Sequence, residues 1–294
     1  MKYNAKDIED IIYKYLPECN GYQEDVIAAM NYAVRAGGKR LRPLMMKLCY
    51  DMFNIDDDKA LEVFMAAIEM IHTYSLIHDD LPALDNDSLR RGLPTVHVKY
   101  GEDIAILAGD GLLNYAYETA AKAFSERPAD LAVEQAYSYL TKKPGIYGMI
   151  GGQTLDVVMS GKSLDEKQIQ YIYENKTSAL IECAMMIGAT LGGADEKSVQ
   201  QLEEAGRAVG LAFQVQDDIL DITGDEATLG KPVLSDEKNN KTTYVSVYGM
   251  ENAVAYVKEM SDKANSILGE IQVSNENARN ELIKLVNMLI NRDK

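Results

Sequence analysis

Apolar positions recur at intervals of three and four along almost the whole chain, and alternation at intervals of two is nearly absent. That pattern predicts helix after helix. Amphipathic segments are expected near 6–15 and 23–36. Gly37 and Gly38 stop the second, and a third opens around Lys39, Arg40 and Arg42 and runs to about Phe53, with Pro43 acceptable in a first turn. Residues 54–58 (NIDDD) read as a loop and helix start, their acids near the positive end of a helix dipole. A long apolar helix is expected over about 59–78, and Pro82, lacking a backbone donor, should end or kink it. Further helices are predicted over 101–123 and 129–141. Another should start at Pro144 and contain Gly148, Gly151 and Gly152. Beyond it come segments over 165–194, bent near Glu174, and 197–222, then two closing helices near 251–268 and 275–291. Residues 224–240, with Gly230 and Pro232, read as a polar loop. No linker, repeat or low-complexity stretch interrupts the pattern, so one all-α domain of ten or more helices is expected over residues 1–294.

Composition narrows the function classes. With 294 residues, 47% of them apolar, the chain can bury a sizeable core, and its net charge of −16 argues against nucleic acid as a partner. An anionic substrate stays possible, because local cations and bound metal decide the field in a site. The run 178–194 is mostly apolar but carries Glu182 and three glycines. It predicts a buried helix and no stable membrane insertion. The start, MKYNAKDIED, has no apolar signal-peptide core, so a soluble, cytoplasmic protein is expected. Cys19, Cys49 and Cys183 are far apart, without metal-site spacing, and read as reduced core thiols.

The densest chemistry lies between His72 and Thr95 (HTYSLIHDDLPALDNDSLRRGLPT), where an apolar helix runs into Asp79, Asp80, Asp85 and Asp87, followed by Arg90 and Arg91. Carboxylates packed this closely repel one another and call for a cation; hard divalent metals with oxygen ligands are the usual answer. A second acidic motif, QVQDDILD over 214–221, puts Asp217 and Asp221 four apart on one helix face with Asp218 beside them, among Val209, Leu211, Phe213, Val215, Ile219 and Leu220. One such pair alone would read as a solvated helix end. Two, each on an apolar helix, make that reading much weaker. Lys39 and Arg42 follow a glycine turn in GGKRLRP, a setting suited to phosphate recognition. Lys176, Lys231 and Lys241 are expected in or near loops, and Lys238 on solvated surface.

GGKRLRP, HDDLPALD, RRGLPTVH, GGQTLD, the Lys176–Thr177 pair and FQVQDDILD occur in the order found in trans-prenyl diphosphate synthases. The chain resembles that family from about residue 37 to 243. The resemblance implies an isoprenoid-synthase-type helical bundle around a deep central cavity, commonly a homodimer. Its two aspartate motifs would face each other across the cavity mouth and bind three Mg²⁺ through an allylic diphosphate. On this pattern Asp79 and Asp85 would hold two ions and Asp217 the third, supported by Asp80, Asp218 and Asp221, with Asp87 only nearby. Lys39, Arg42, His72 and Arg91 match the isopentenyl diphosphate site. Arg90, Lys176, Thr177, Gln214, Lys231 and Lys241 match the allylic side. The four residues between Asp80 and Asp85 resemble the bacterial short-chain type.

The implied chemistry is ionisation of an allylic diphosphate followed by attack of the isopentenyl double bond. Tyr74 and Ser75 lie five and four residues before Asp79, and an aromatic at Tyr74 resembles farnesyl-forming members. Geranylgeranyl diphosphate synthesis is the same-class alternative, and plain core packing the bland reading of Tyr74. A terpene cyclase would lack the Lys39, Arg42 and His72 set. The His78–Asp79 pair superficially resembles helical metal phosphohydrolases, but only three histidines exist, His72, His78 and His97, with none near the second motif. A non-catalytic scaffold or regulatory subunit predicts broken motifs, and both are whole. Gln153 and Asp156 carry no assigned role. Gly148, Gly151 and Gly152 are expected to allow close helix packing.

Overall fold

The computed structural model describes residues 5–54, 56, 58–223 and 242–290, and helices dominate them. The expected loop over 224–240, with Lys231, and Lys241 beyond it, lie outside the described residues. The chain divides into two compact units, Met1–Lys47 with Asp56–Tyr137, and Leu48–Ile55 with Ser138–Lys294.

The first unit contains α1 (Ala5–Lys14), α2 (Glu24–Arg35), the start of α3 (Leu41–Asp51), α4 (Lys59–Asp79), α5 (Val96–Tyr100), α6 (Glu102–Ala121), α7 (Ala123–Glu126) and the start of α8 (Leu131–Lys142). Helix α4 is its spine. Asp58 caps it by accepting from the Ala60 amide, and Arg127 holds the other Asp58 oxygen. Phe64, Met65, Ile68 and Ile71 are fully buried along α4, which packs against α1, α2 and α6. The helix is long and apolar enough to cross a membrane by length and composition, yet 78% of that window is buried inside the protein, so it is the core helix of the unit. Its last turn approaches α6 so closely that a Cβ on Gly109 would fall 2.0 Å from His78 Nε2.

A two-residue ladder that periodicity does not reveal follows α4. Strands β1 (Leu89–Arg90) and β2 (Leu93–Pro94) pair antiparallel around Arg91 and Gly92. Both turn residues have positive φ, 53° and 75°, the combination of a tight hairpin turn that matches strand twist.

The second unit contains α9 (Met149–Val158), α10 (Glu166–Ile172), a π-helical turn (Tyr173–Ser178), α11 (Ala179–Leu191), α12 (Glu196–Thr223), α13 (Tyr244–Tyr248), α14 (Met250–Glu270) and α15 (Glu276–Ile290). Every residue of α11 is buried, as its sequence predicts. Its Glu182 is compensated by Lys143 and by Arg207 at 3.0 Å. The bend expected near Glu174 is the π turn, which inserts one residue per turn and so re-aims the side chains after it. Gly206 and Gly210 on α12 let it close on this segment: a Cβ at Gly210 would lie 2.3 Å from Ser178 Oγ, and one at Gly206 would lie 3.0 Å from Glu182 Cα.

Three expectations need correction. No helix starts at Pro144: the chain folds back through turns, a Cβ on Gly148 would lie 1.9 Å from the Lys143 carbonyl, and α9 begins only at Met149. Lys176 is not in a loop but in the π turn. Cys49 and Cys183 are buried thiols, whereas Cys19 is exposed on the polar stretch before α2.

Candidate active site

In the first unit, α4 ends at Asp79 and the chain curls back. The Asp85 amide donates to the Asp79 carbonyl at 2.9 Å and the Asn86 amide to Leu81 at 3.1 Å. This curl explains the four-residue spacing: it returns Asp85 to the end of α4 beside Asp79. Both carboxylates are half-buried. Asp80 points elsewhere and is 3% exposed. Arg90 grips it, with Nε 2.8 Å from both oxygens and Nη2 2.5 Å from Oδ1, while Asp87 stands 3.6 Å from Arg90 Nη2. Burial pushes the Asp80 carboxyl up against the opposing pull of Arg90. The hairpin is thereby locked to the acidic turn.

Arg91, at the hairpin tip, donates to the Gly37 carbonyl, and its guanidinium lies over Gly38, where a Cβ would come within 2.7 Å of Cζ. Glycine is required there for space and for φ of 134°. Arg40, also in the left-handed region, turns inward. It is 2% exposed and pairs with Glu69 of α4 at 2.7 Å, with further bonds to the Val34 carbonyl at 2.6 Å and Glu9 at 3.3 Å. Sequence reading passed over Arg40 and Glu69; the signal was a lone glutamate on the apolar face of α4. Their pairing anchors the GGKRLRP segment to α4 three residues before His72.

Arg42, Arg91 and His72 share this region: His72 feels both arginines, and Arg42 feels Arg91. Burial, with repulsion from Arg91, lowers Arg42 to about 10, and its buried Nε has no hydrogen-bond partner. Burial and repulsion from Arg40 likewise lower Arg91. Burial and then the charges of Arg42, Arg91, Arg90 and Arg40 hold His72 well below the ordinary imidazole value. A buried donor without a partner amid clustered cations suits an anionic ligand. Lys39 is exposed at the edge of the same segment.

The His72 environment predicts a pH dependence. Unfolded, the imidazole takes a proton near 6.5; folded, it stays neutral until well below that. The unfolded state therefore binds more protons below about 6.5, so stability holds above that pH and falls beneath it, by up to about 1.4 kcal/mol per pH unit. Urea unfolding of wild type and His72→Asn between pH 7 and 5.5 should show the steeper loss in wild type. Equal slopes would contradict the assignment.

In the second unit, Gly206, Gly210, Gln214 and Asp218 lie four apart along α12 and form one stripe facing the segment from Tyr173 to Glu182. Thr177 donates to Gln214 Oε1 at 2.7 Å, and Tyr173 donates to Asp218 Oδ2 at 2.5 Å. Lys176 pairs with Asp156 of α9 at 2.6 Å, which gives Asp156 a partner the sequence left open. A Cβ at Gly152 would fall 2.3 Å from the Lys176 amide, so α9 packs directly on the π turn. Asp218 and Asp221 are each 2% exposed, whereas Asp217 is half-buried. Tyr173 was missed because a π turn shifts the register that ordinary helical spacing assumes.

The donors in both units are hard carboxylate oxygens, the chemistry Mg²⁺ prefers. Among the described residues no three acidic, histidine or cysteine side chains already converge as a cage.

The polyprenyl synthetase family pattern matches residues 23–286. The chain is 43% identical over 246 residues to the farnesyl diphosphate synthase of Geobacillus stearothermophilus, spanning 84% of this chain and 82% of that one. It is 39% identical to the geranylgeranyl diphosphate synthase of Cyanophora paradoxa, across 99% and 95% of the two chains. Among solved structures, the geranyltransferase of Helicobacter pylori complexed with magnesium and isoprenyl diphosphate superposes with a TM-score of 0.87 at 31% identity, covering 98% and 95%. The expected isoprenoid-synthase helical fold is therefore the one observed, and the chain belongs to the polyprenyl synthetase family.

Proposed function

We propose that this prenyltransferase is a farnesyl diphosphate synthase, condensing isopentenyl diphosphate with dimethylallyl and then geranyl diphosphate in an Mg²⁺-dependent reaction. The observation that carries the reading is the pairing of Asp79 and Asp85 by the 79–86 curl, beside the arginine and histidine group on the same unit. Asp79 and Asp85 are assigned to two ions and Asp217 to a third, with Asp80, Asp218 and Asp221 in support. Bound Mg²⁺ would neutralise charge on a departing diphosphate. Lys39, Arg42, His72 and Arg91 hold isopentenyl diphosphate. Arg42 contributes its unpartnered donor, and His72 contributes a ring nitrogen beside the arginines. Arg90, Lys176, Lys231 and Lys241 serve the allylic diphosphate. Arg90 and Lys176 are each preorganised by a carboxylate, Asp80 and Asp156. Preorganised cations stabilise developing charge without reorganising at the moment of reaction.

Once the allylic C–O bond ionises, the carbocation must be kept from water, and Thr177 and Gln214 supply oxygen dipoles beside it. The isopentenyl double bond attacks, and the proton then lost passes to the released diphosphate, so no protein general base is invoked. We assign the reaction to one catalytic domain comprising the whole chain, acting in the cytoplasm as a homodimer.

Chain length is assigned to Tyr74, with Ser75 beside it. Tyr74 is 6% exposed on α4, edge-on to His78, with ring centroids 5.9 Å apart. At a rise of about 1.5 Å per residue it sits roughly 7 Å down the helix from Asp79. As a floor there it would halt growth at fifteen carbons. Wild type given isopentenyl and geranyl diphosphates should make a C15 product, and Tyr74→Ala should shift it to C20 or longer. A C20 product from wild type would favour geranylgeranyl diphosphate synthase, the second reading, which the similarity to that enzyme of Cyanophora paradoxa supports. Unchanged length in Tyr74→Ala would remove the floor.

A further inference from the structure

We propose that Tyr173 is a positioning residue. Through Asp218 it fixes the direction of the hydrogen bonds along Gln214, so that the Thr177 hydroxyl spends its proton on Gln214 and keeps its oxygen lone pairs for the allylic cation. The inference rests on the assignment of Thr177 and Gln214 as dipoles for that cation.

The chain of donors has one consistent polarity. Asp218 is buried, and its Oδ2 accepts from Tyr173 Oη at 2.5 Å and from the Tyr244 amide at 2.9 Å. The same amide also lies 3.0 Å from Tyr173 Oη, which closes a three-membered cluster around that oxygen. An ionised carboxylate only accepts, so whatever faces the other Asp218 oxygen must donate. Gln214 Nε2, 3.4 Å from Oδ1, is such a donor. With its amide nitrogen committed to Asp218, Gln214 has its carbonyl oxygen turned to Thr177, whose hydroxyl donates to it at 2.7 Å. A hydroxyl that donates has its lone pairs left over. Were Gln214 to flip, its amide would donate to Thr177 instead and consume a lone pair. Such a flip interchanges nitrogen and oxygen at almost no steric cost, so it is prevented only by what the amide faces.

Asp218 and Tyr173 supply that constraint. The π turn is what brings Tyr173 and Thr177 onto the same stripe, opposite two α12 residues four apart. The oxygens of Asp218 accept from Tyr173, Tyr244 and Gln214, so Asp218 orients the dipole pair from behind.

The test is a double-mutant cycle in the full-length chain, pairing Tyr173→Phe with Thr177→Ala and reading kcat and both KM values. Tyr173→Phe keeps the ring and removes only the hydroxyl, so the fold is expected to persist, checked by circular dichroism. We expect kcat to fall about tenfold with both KM values within about twofold, as for loss of an interaction made in the transition state. In the Thr177→Ala background the same change should alter kcat by less than about twofold, because the oxygen it orients is gone. Calorimetry of Mg²⁺ with inorganic diphosphate should give Kd values within about twofold for wild type and Tyr173→Phe. Wild-type turnover in Tyr173→Phe, a tenfold loss in both backgrounds, or a tenfold weaker Mg²⁺–diphosphate complex would each overturn the proposal. Failure of the underlying assignment is distinguishable, since Thr177→Ala would then turn over like wild type.

Discussion

Replacing Asp79 with alanine is expected to cut turnover by about a thousandfold while leaving folding stability nearly unchanged. Metal-assisted charge neutralisation supplies several kcal/mol to a departing diphosphate, and losing about 4 kcal/mol corresponds to roughly three orders of magnitude in rate. Stability should hold because Asp79 is half-buried at a helix end among Asp80, Asp85 and Asp87. Removing one of several like charges relieves repulsion as well as removing contacts. Steady-state assays beside urea unfolding check both halves. Wild-type turnover would remove Asp79 from the metal site, and a loss of stability matching the loss of rate would make its role structural.

Glu69→Ala is expected to show the opposite profile, with destabilisation of about 3 kcal/mol, because it leaves a buried guanidinium under-compensated. Arg40 is 2% exposed and would retain the Val34 carbonyl and Glu9 but lose its partner at 2.7 Å. Removing both charges together, as Arg40→Met with Glu69→Leu, should recover most of that loss, since an uncompensated charge costs more than an absent pair. Urea unfolding of the three proteins is the measurement. A double variant as unstable as Glu69→Ala would show that packing, and not the under-compensated charge, sets the cost.

The two cases show where the sequence was informative and where it was not. Asp79 could be nominated because a run of carboxylates after an apolar helix violates electrostatics unless a cation resolves it. Glu69 was not, because one acid in an apolar helix reads the same whether it meets water or a buried arginine. Helices such as α4 and α12 emerged at nearly their observed limits, because their apolar faces repeat over several turns. What failed was local. The Arg91–Gly92 hairpin is too short to show alternation, and the turns around Gly148 depend on a backbone contact with Lys143 that no spacing encodes. The π turn was visible only as a bend near Glu174, and with it went the partnership of Tyr173 and Asp218. Site residues whose meaning is chemical could be nominated from sequence. Those whose meaning is to hold the others in place required coordinates.

The most direct measurement for the account as a whole is incubation of the purified chain with labelled isopentenyl diphosphate and dimethylallyl diphosphate, with Mg²⁺ and with chelator, followed by chromatography of the dephosphorylated products. Labelled prenyl alcohols ending at fifteen carbons are expected when Mg²⁺ is present and none when it is removed. No labelled product in Mg²⁺ with dimethylallyl, geranyl or farnesyl diphosphate, or product formed equally well in chelator, would contradict that expectation.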